Sequence, residues 1–231
     1  METGEDRRGR PRLGRERLTR EWILRAALRV ADEEGIGALS MRRLAAELGV
    51  DPMAIYHHVP GKGAVLAGMV ELVYGEMRAS AATGAAWQDL VRENARTLRE
   101  VTRAHPNLVL HLVSNPEAGA AAALEANEAL FGALVAAGFP PRVVLRAADL
   151  VVDYVNGFAL GEAGGTLGGP GERDWFRALL EAQPTDKYPA LRCVYDGVTE
   201  EESRSDFEYG LDVILAGLEA ARAGQESAPG R

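Results

Sequence analysis

Ala45, Gly49 and Ile55 stand at relative positions 0, +4 and +10, a spacing with a specific use. A small residue lets two short helices cross closely, a glycine adopts the left-handed conformation at the turn between them, and a β-branched apolar residue holds the second helix inward. The other residues of that second helix, Met53, Ala54, Tyr56, His57 and His58, are then partly exposed and able to enter a DNA major groove. The adjacent histidines have no Cys or carboxylate at ligand spacing, so they read as surface residues and no metal site is expected. For Tyr56 a core position is the alternative. Upstream, residues 7 to 20 carry seven Arg against the single Glu16. Within that run Arg8-Gly9-Arg10-Pro11-Arg12 is a narrow, extended cationic segment that suits an A·T-rich minor groove; the alternative is a merely solvated tail.

A second set of residues places polar groups inside apolar stripes. Trp87, Leu90, Val91, Asn94, Ala95 and Leu98 share one helical face, so Asn94 points where hydrocarbon is expected. Leu124, Asn127, Phe131 and Leu134 do the same for Asn127, and Leu108, His111 and Leu112 for His111. A buried polar group without a hydrogen bond costs roughly 1–3 kcal/mol. Any one of the three could be satisfied by neighbouring backbone, but three on separate helices match a ligand pocket, with apolar walls and a few convergent polar groups. Asn94, Leu98, His111 and Asn127 are therefore the candidate effector contacts.

These side chains need elements to hold them, and the regular parts of the sequence follow the helical period without alternating strand patterns. Ile23, Ala26, Ala27, Val30 and Ala31 mark a first helix between Thr19 and Gly35; Met41, Leu44, Ala45 and Leu48 mark a second, capped by Ser40 and ended by Gly49. Asp51 and Pro52 open a third that runs to about His58. A fourth helix carries Leu66, Met69, Val70, Val73 and Met77 and is expected to end near Ser80 to Gly84, and further helices are expected at Trp87 to Arg103, Pro106 to Leu112, Pro116 to Ala137, Pro141 to about Leu160 and Glu202 to Ala223. Residues 161 to 171 hold six Gly and read as a loop, and residues 172 to 198 hold one or two short helices. The expected class is all-α, with nine or ten helices.

With 231 residues, 47% of them hydrophobic, the chain can build a substantial core, and a single Cys excludes an internal disulfide. No signal-like apolar region opens the chain and no stretch approaches the roughly 20 apolar residues of a membrane span, so a soluble cytoplasmic protein without membrane partners is expected. The net charge of −8 hides a division: residues 1 to 62 carry 12 basic and 10 acidic side chains, net +2, leaving −10 for the rest. The end that holds the helix pair is the end suited to a polyanion.

The stretch LTREWILRAALRVADEEGIGALSMRRLAAELGVDPMAIYHHVPGKGAVLAGMV, residues 18 to 70, resembles the tetracycline-repressor (TetR) family of bacterial transcriptional regulators. Its signature is Leu48-Gly49-Val50 followed by Tyr56-x-His58, Val59, Pro60 and Lys62. AWQDLVRENAR (86 to 96) and FEYGLDVILAGLEA (207 to 220) continue the resemblance into the effector domain of the tetracycline-repressor branch. The resemblance implies a homodimer that binds a palindromic operator and leaves it when a small molecule occupies the C-terminal domain. It implies an arm at 1–18, a helix-turn-helix domain at 19–64, an effector and dimerisation domain at 65–223 and a tail at 224–231.

By the same resemblance Ser40 is a capping hydroxyl near a phosphate, Arg42 a base reader, and Tyr56 and Lys62 a phosphate-contacting pair. Met53 and Ala54 offer at most apolar contact to a thymine methyl. Asn94, His111 and Asn127 fall at drug-contacting positions. That branch also uses a His at the end of helix four to chelate the drug-bound metal, whereas residues 75 to 82 here read GEMRASAA; an apolar multi-ring or polyketide-like effector is expected, with no metal or other cofactor. The helix from Pro141 to Leu160, apolar on nearly every side, and the small-residue face of the last helix read as a four-helix dimer interface: Val151, Tyr154, Val213, Ala216, Gly217 and Ala220. The alternative is that both helices fill a monomer core.

Two other classes fit less well. An all-α enzyme would have to use His105 or His111 with Asp149 or Asp153; there is no nucleophile elbow, no phosphate loop in the glycines of 161 to 171 and no positioned His for Cys193. A helix-turn-helix protein without ligand control would leave the buried polar residues unexplained.

Overall fold

The computed structural model describes residues 18–79, 86–169, 171–202 and 205–226. Among these residues the regular structure consists of eleven α-helices and two short 3-10 turns, with no strand. They fall into two compact units that divide between Met69 and Val70.

The first unit contains α1 (Arg20–Glu34), a 3-10 turn at Ile36–Ala38, α2 (Met41–Leu48), α3 (Pro52–Tyr56) and the start of α4 (Lys62–Ala79). Thr19 Oγ1 accepts the Trp22 N–H at 3.1 Å and opens α1; Gly35, at φ 83°, ends it. The apolar stripe of α1 is fully buried with Leu39, Leu44, Ile55, Val59, Val65 and Met69. Gly68 of α4 packs so closely on Leu24 that a Cβ there would lie 2.7 Å from both of its methyl carbons.

The second unit holds the rest of α4, then α5 (Trp87–Ala104), α6 (Pro106–Ser114), a 3-10 turn at Pro116–Ala118, α7 (Ala120–Ala136), α8 (Pro141–Ala163), α9 (Asp174–Glu181), α10 (Pro189–Asp196) and α11 (Phe207–Glu226). α5, α7, α8 and α11 enclose one apolar core. Aromatic contacts fasten it: Trp87 meets Phe139 edge-on at 4.9 Å, and Tyr154 stacks on Phe207 at 5.4 Å while its hydroxyl donates to the Phe207 carbonyl at 2.8 Å. The Arg99 guanidinium lies 4.5 Å over the Phe207 ring and donates twice to Glu162, at 2.7 and 2.6 Å. That fork holds the Glu162 carboxyl below its ordinary range despite partial burial.

Several boundaries differ from the sequence expectation, and three of them have a local reason. α3 stops at Tyr56 because the N–H groups of both His58 and Val59 turn to the Ile55 carbonyl, each at 2.9 Å. The helix expected from Pro116 is interrupted before Ala120, and a Cβ at the intervening Gly119 would sit 3.2 Å from a Leu112 methyl. α8 continues through Leu160 to Ala163. α11 begins at Phe207, where Asp206 Oδ1 accepts the N–H of Glu208 at 2.9 Å and of Tyr209 at 3.2 Å as a cap.

Candidate DNA-reading surface and effector cavity

In the first unit the turn between α2 and α3 has the geometry that the spacing predicts. Ala45 and Ile55 are buried, and Gly49 sits in the left-handed region at φ 62°, ψ 33°, with the Val50 N–H returning to the Ala45 carbonyl at 3.1 Å. Ser40 Oγ accepts the Arg43 N–H at 3.1 Å at the start of α2, and Asp51 Oδ1 accepts the Met53 N–H at 2.8 Å at the start of α3.

The two adjacent arginines of α2 have separate fates. Arg43 donates to Glu34 at 2.9 and 2.5 Å and to Glu47 at 3.0 Å, which raises its own pKa and lowers that of Glu34. Arg42 is exposed and makes no hydrogen bond or ion pair among the described residues, so its five donors are available to base edges or phosphate. Met53, Tyr56, His57 and His58 are exposed and Ala54 is half-buried. Tyr56, 44% exposed, is not a core aromatic. Lys62, the first residue of α4, is exposed, its ammonium 3.4 Å from the Ile36 carbonyl. Arg8, Arg10 and Arg12 lie outside the described residues.

The second unit contains a cavity of about 320 Å³. Val73 and Tyr74 of α4, Asn94 and Leu98 of α5, Asn127 of α7 and Asn156 of α8 lie in its wall, and the remaining lining is apolar apart from Gly119 and backbone. Asn94, Leu98 and Asn127 are thus brought together as the stripes predict. Among the described residues no protein hydrogen bond reaches the Tyr74 hydroxyl or the Asn94 and Asn127 amides. Burial pushes the Tyr74 phenol up, which keeps it a neutral donor.

His111 is the exception and is not part of this wall. α6 presents Val109, Leu112 and Val113 to the cavity; at about 100° per residue, position 111 lies roughly 200° around from Val109. Its imidazole instead lies 3.4 Å from the Asn115 amide nitrogen, which also donates to the His111 carbonyl at 2.9 Å. Sequence reasoning missed Asn156, because α8 read as uniformly apolar. The signal was present as a single amide three residues after Asp153.

The expected dimer residues divide into two groups. Val213, Ala216, Gly217 and Ala220 of α11 are all exposed. Val151 and Tyr154 face their own chain's core, a correction that follows from the buried stripe Val144, Ala147, Val151, Val155 and Phe158. Tyr154 is further committed by its bond to Phe207. Leu145 and Leu150 are the large apolar residues of α8 left exposed outside the cavity, whereas the exposed Val152 lies in the cavity wall.

Comparison with known proteins agrees with both halves of this geometry. Residues 23–69 match the family described as bacterial regulatory proteins, tetR family, and residues 81–222 match the tetracyclin repressor-like C-terminal domain. The chain belongs to the TetR family. It is similar to an HTH-type transcriptional regulator of Saccharopolyspora erythraea, 34% identical over 88% of this chain and 85% of the relative. It is also similar to the tetracycline repressor protein class A from transposon 1721 of Escherichia coli, 30% identical over 87% and 90%. Among solved structures, the TetR-family protein ActR of Streptomyces coelicolor in complex with actinorhodin superposes with a TM-score of 0.66 at 27% identity, covering 89% of this chain and 99% of ActR. This TetR-family chain is accordingly a transcriptional regulator with a helix-turn-helix DNA-binding domain and a tetracyclin repressor-like C-terminal domain. Among its described residues no helix is long and apolar enough to cross a membrane.

Proposed function

We propose that this protein is a repressor that occupies a palindromic operator as a homodimer and is released by a neutral, multi-ring organic molecule, with no metal required. The observation that carries the reading is the cavity wall: three polar side chains without protein partners, set in apolar surroundings, with neither a histidine nor a carboxylate among the lining residues. Such a wall has hydrogen bonds to offer a ligand and no charge to balance or hard donor set to complete. The ActR complex with actinorhodin supports an organic effector of this kind. A regulator without ligand control would leave those groups unexplained.

Arg42 reads base edges, Tyr56 and Lys62 hold phosphates, Ser40 orders the α2 terminus beside the backbone, and His57, His58, Met53 and Ala54 face the groove. Arg8, Arg10 and Arg12 enter the flanking minor groove. The dimer forms through the exposed faces of α8 and α11. The protein works in the cytoplasm, by binding and not by catalysis. α4 carries Lys62 at one end and Val73 and Tyr74 in the cavity wall, so a ligand that favours one position of this helix has a direct mechanical route to the operator contacts.

The test is the double variant Asn94→Leu, Asn127→Leu. Footprinting on the gene's upstream region is expected to show paired half-sites about 10 bp apart for both proteins. The concentration of dihydroxyanthraquinone that releases the operator is expected to rise about 10- to 100-fold in the variant, as the loss of two hydrogen bonds requires. Unchanged release by the variant places the effector elsewhere, and loss of DNA binding or folding makes the two amides structural.

A further inference from the structure

We propose that the exposed face of α8 carries a self-complementary charge pattern, which makes a second copy of this chain its partner, fixes the antiparallel register of the two helices and turns away helices without the matching pattern. The proposal rests on the reading that the dimer forms through the exposed faces of α8 and α11, and goes beyond it by naming the residues that decide which chain can pair. Along α8 the charges are segregated: Arg142 and Arg146 come first, and Asp149 and Asp153 follow. All four are exposed, and none has a hydrogen bond or ion pair among the described residues. At about 100° per residue they fall within an arc of about 60°, with Leu145 and Leu150 on its two edges. That arc lies on the side of the helix away from the buried Val144, Ala147, Val151 and Val155.

Within one chain this arrangement is unfavourable. Arg142 stands in the first turn of α8, where the helix dipole disfavours a cation, and Arg142 with Arg146 and Asp149 with Asp153 are like-charge pairs four residues apart. Between two copies the same order becomes favourable. The four positions are symmetric about the midpoint between Ala147 and Ala148. Two antiparallel α8 helices related by a two-fold axis at that midpoint set Arg142 beside Asp153 of the partner subunit and Arg146 beside Asp149 of the partner subunit, and the symmetry repeats both contacts. Arg142 and Asp153 then lie about 8 Å from the crossing point, so at a bundle-like angle of about 20° they are offset sideways by only about 3 Å, within an arginine's reach. Beside the charges a groove of about 500 Å³, lined by Arg142, Arg146 and Leu150 of α8 and by Leu218 and Ala221 of α11, offers apolar surface to the partner's leucines. An unrelated acidic helix would satisfy the two arginines and leave the two aspartates facing like charge. A helix with the reversed order, which the second copy supplies, answers both halves.

The dimer dissociation constant of the full-length protein, labelled at its N-terminus, is measured by fluorescence-detected sedimentation velocity at low salt and at about 1 M salt, where screening is nearly complete. Arg142→Asp replaces two attractions by two repulsions, and is expected to raise the constant about 10- to 100-fold at low salt and by much less at about 1 M. Adding Asp153→Arg to the same chain restores opposite charges at this register, and is expected to bring the constant back to within about threefold of wild type. Adding Asp149→Arg instead gives the same net charge but sets that position against Arg146 of the partner subunit, and is expected to leave the dimer at least as weak as Arg142→Asp alone. Circular dichroism melting verifies the fold of each variant. Asp153→Arg alone puts like charges at the same two contacts and is expected to repeat the loss, so it replaces Arg142→Asp if that variant fails to fold.

Equal recovery by both second substitutions, recovery by neither, or a dimer unweakened by Arg142→Asp would overturn the charge pattern while leaving the dimer reading in place. A wild type that stays monomeric at micromolar concentration would overturn the dimer reading together with it.

Discussion

Replacing Gly68 by alanine is expected to destabilise the protein even though the substitution improves helix propensity. Gly68 lies within α4, where glycine costs about 1 kcal/mol relative to alanine. The added Cβ would sit 2.7 Å from both methyl carbons of Leu24. Ordinary carbon contacts are about 3.5–4.0 Å, so the overlap is close to 1 Å. The nearby Arg20 guanidinium, at 3.1 Å, can swing away, but Leu24 is fully buried and has no free space. Overpacking costs about 1–3 kcal/mol; with both Leu24 methyl carbons at 2.7 Å the upper part of that range, about 2–3 kcal/mol, applies, which leaves a net loss of about 1–2 kcal/mol after the propensity gain. Gly132→Ala, in α7, is the internal control: a Cβ there meets nothing within 4 Å, so a gain of about 0.5–1 kcal/mol is expected. Urea denaturation followed by circular dichroism reads both shifts. A Gly68→Ala protein as stable as wild type would refute the close packing of α1 on α4, and a destabilised Gly132→Ala would undermine the use of Cβ clearance to predict the sign.

Tyr56→Ala and Lys62→Ala should weaken binding to all DNA sequences about equally, whereas Arg42→Ala should also flatten base preference at one position by about 1–3 kcal/mol in competition binding; a uniform loss for all three removes Arg42 as a reader. Deleting residues 1 to 17 removes six Arg and four acidic residues, and the slope of log affinity against log salt should fall by at least about one unit, with about five as the ceiling. Equal slopes for the full-length and truncated proteins would count against the minor-groove arm. Glu162→Gln should cost about 1–2 kcal/mol near neutral pH, modest because Arg99 retains partial exposure. Since Arg99 holds the Glu162 carboxyl below its ordinary value of about 4.5, this stabilisation is present above that pH and lost as pH falls through the depressed folded value. Acid titration of thermal stability should therefore show wild type and Glu162→Gln converging progressively as pH falls below about 4.5, and parallel curves would contradict it.

Much of this arrangement was legible because helix period and cap chemistry are local. Thr19, Ser40, Asp51 and Gly49 announce their roles within four residues, and the Ala45, Gly49, Ile55 spacing is a contact pattern written along the chain. What escaped depends on partners distant in sequence. Val151 and Tyr154 were assigned to an interface because α8 is apolar on most sides, and only the stacking of Phe207, 53 residues after Tyr154, decides which apolar side is the chain's own. His111 shares an apolar run with Leu108 and Leu112, yet a short helix that buries Leu108 and Val109 turns it off the cavity. Asn156 is a single amide in a helix that reads as apolar, and only its place beside residues of α4, α5 and α7 puts it in the cavity wall.

The way α3 is held also bears on how such a regulator can change its target over evolutionary time. Its attachment depends on the Asp51 cap, the fixed φ of Pro52 and the fully buried Ile55. Met53, 63% exposed, and the exposed His57 and His58 contribute little to that attachment. Surface substitutions away from caps and core usually shift stability by no more than about 0.5 kcal/mol. These exposed positions are therefore free to drift under mutation without threatening the fold, and a duplicated copy of this gene could acquire a new surface on α3 while remaining a well-folded protein at every intermediate step.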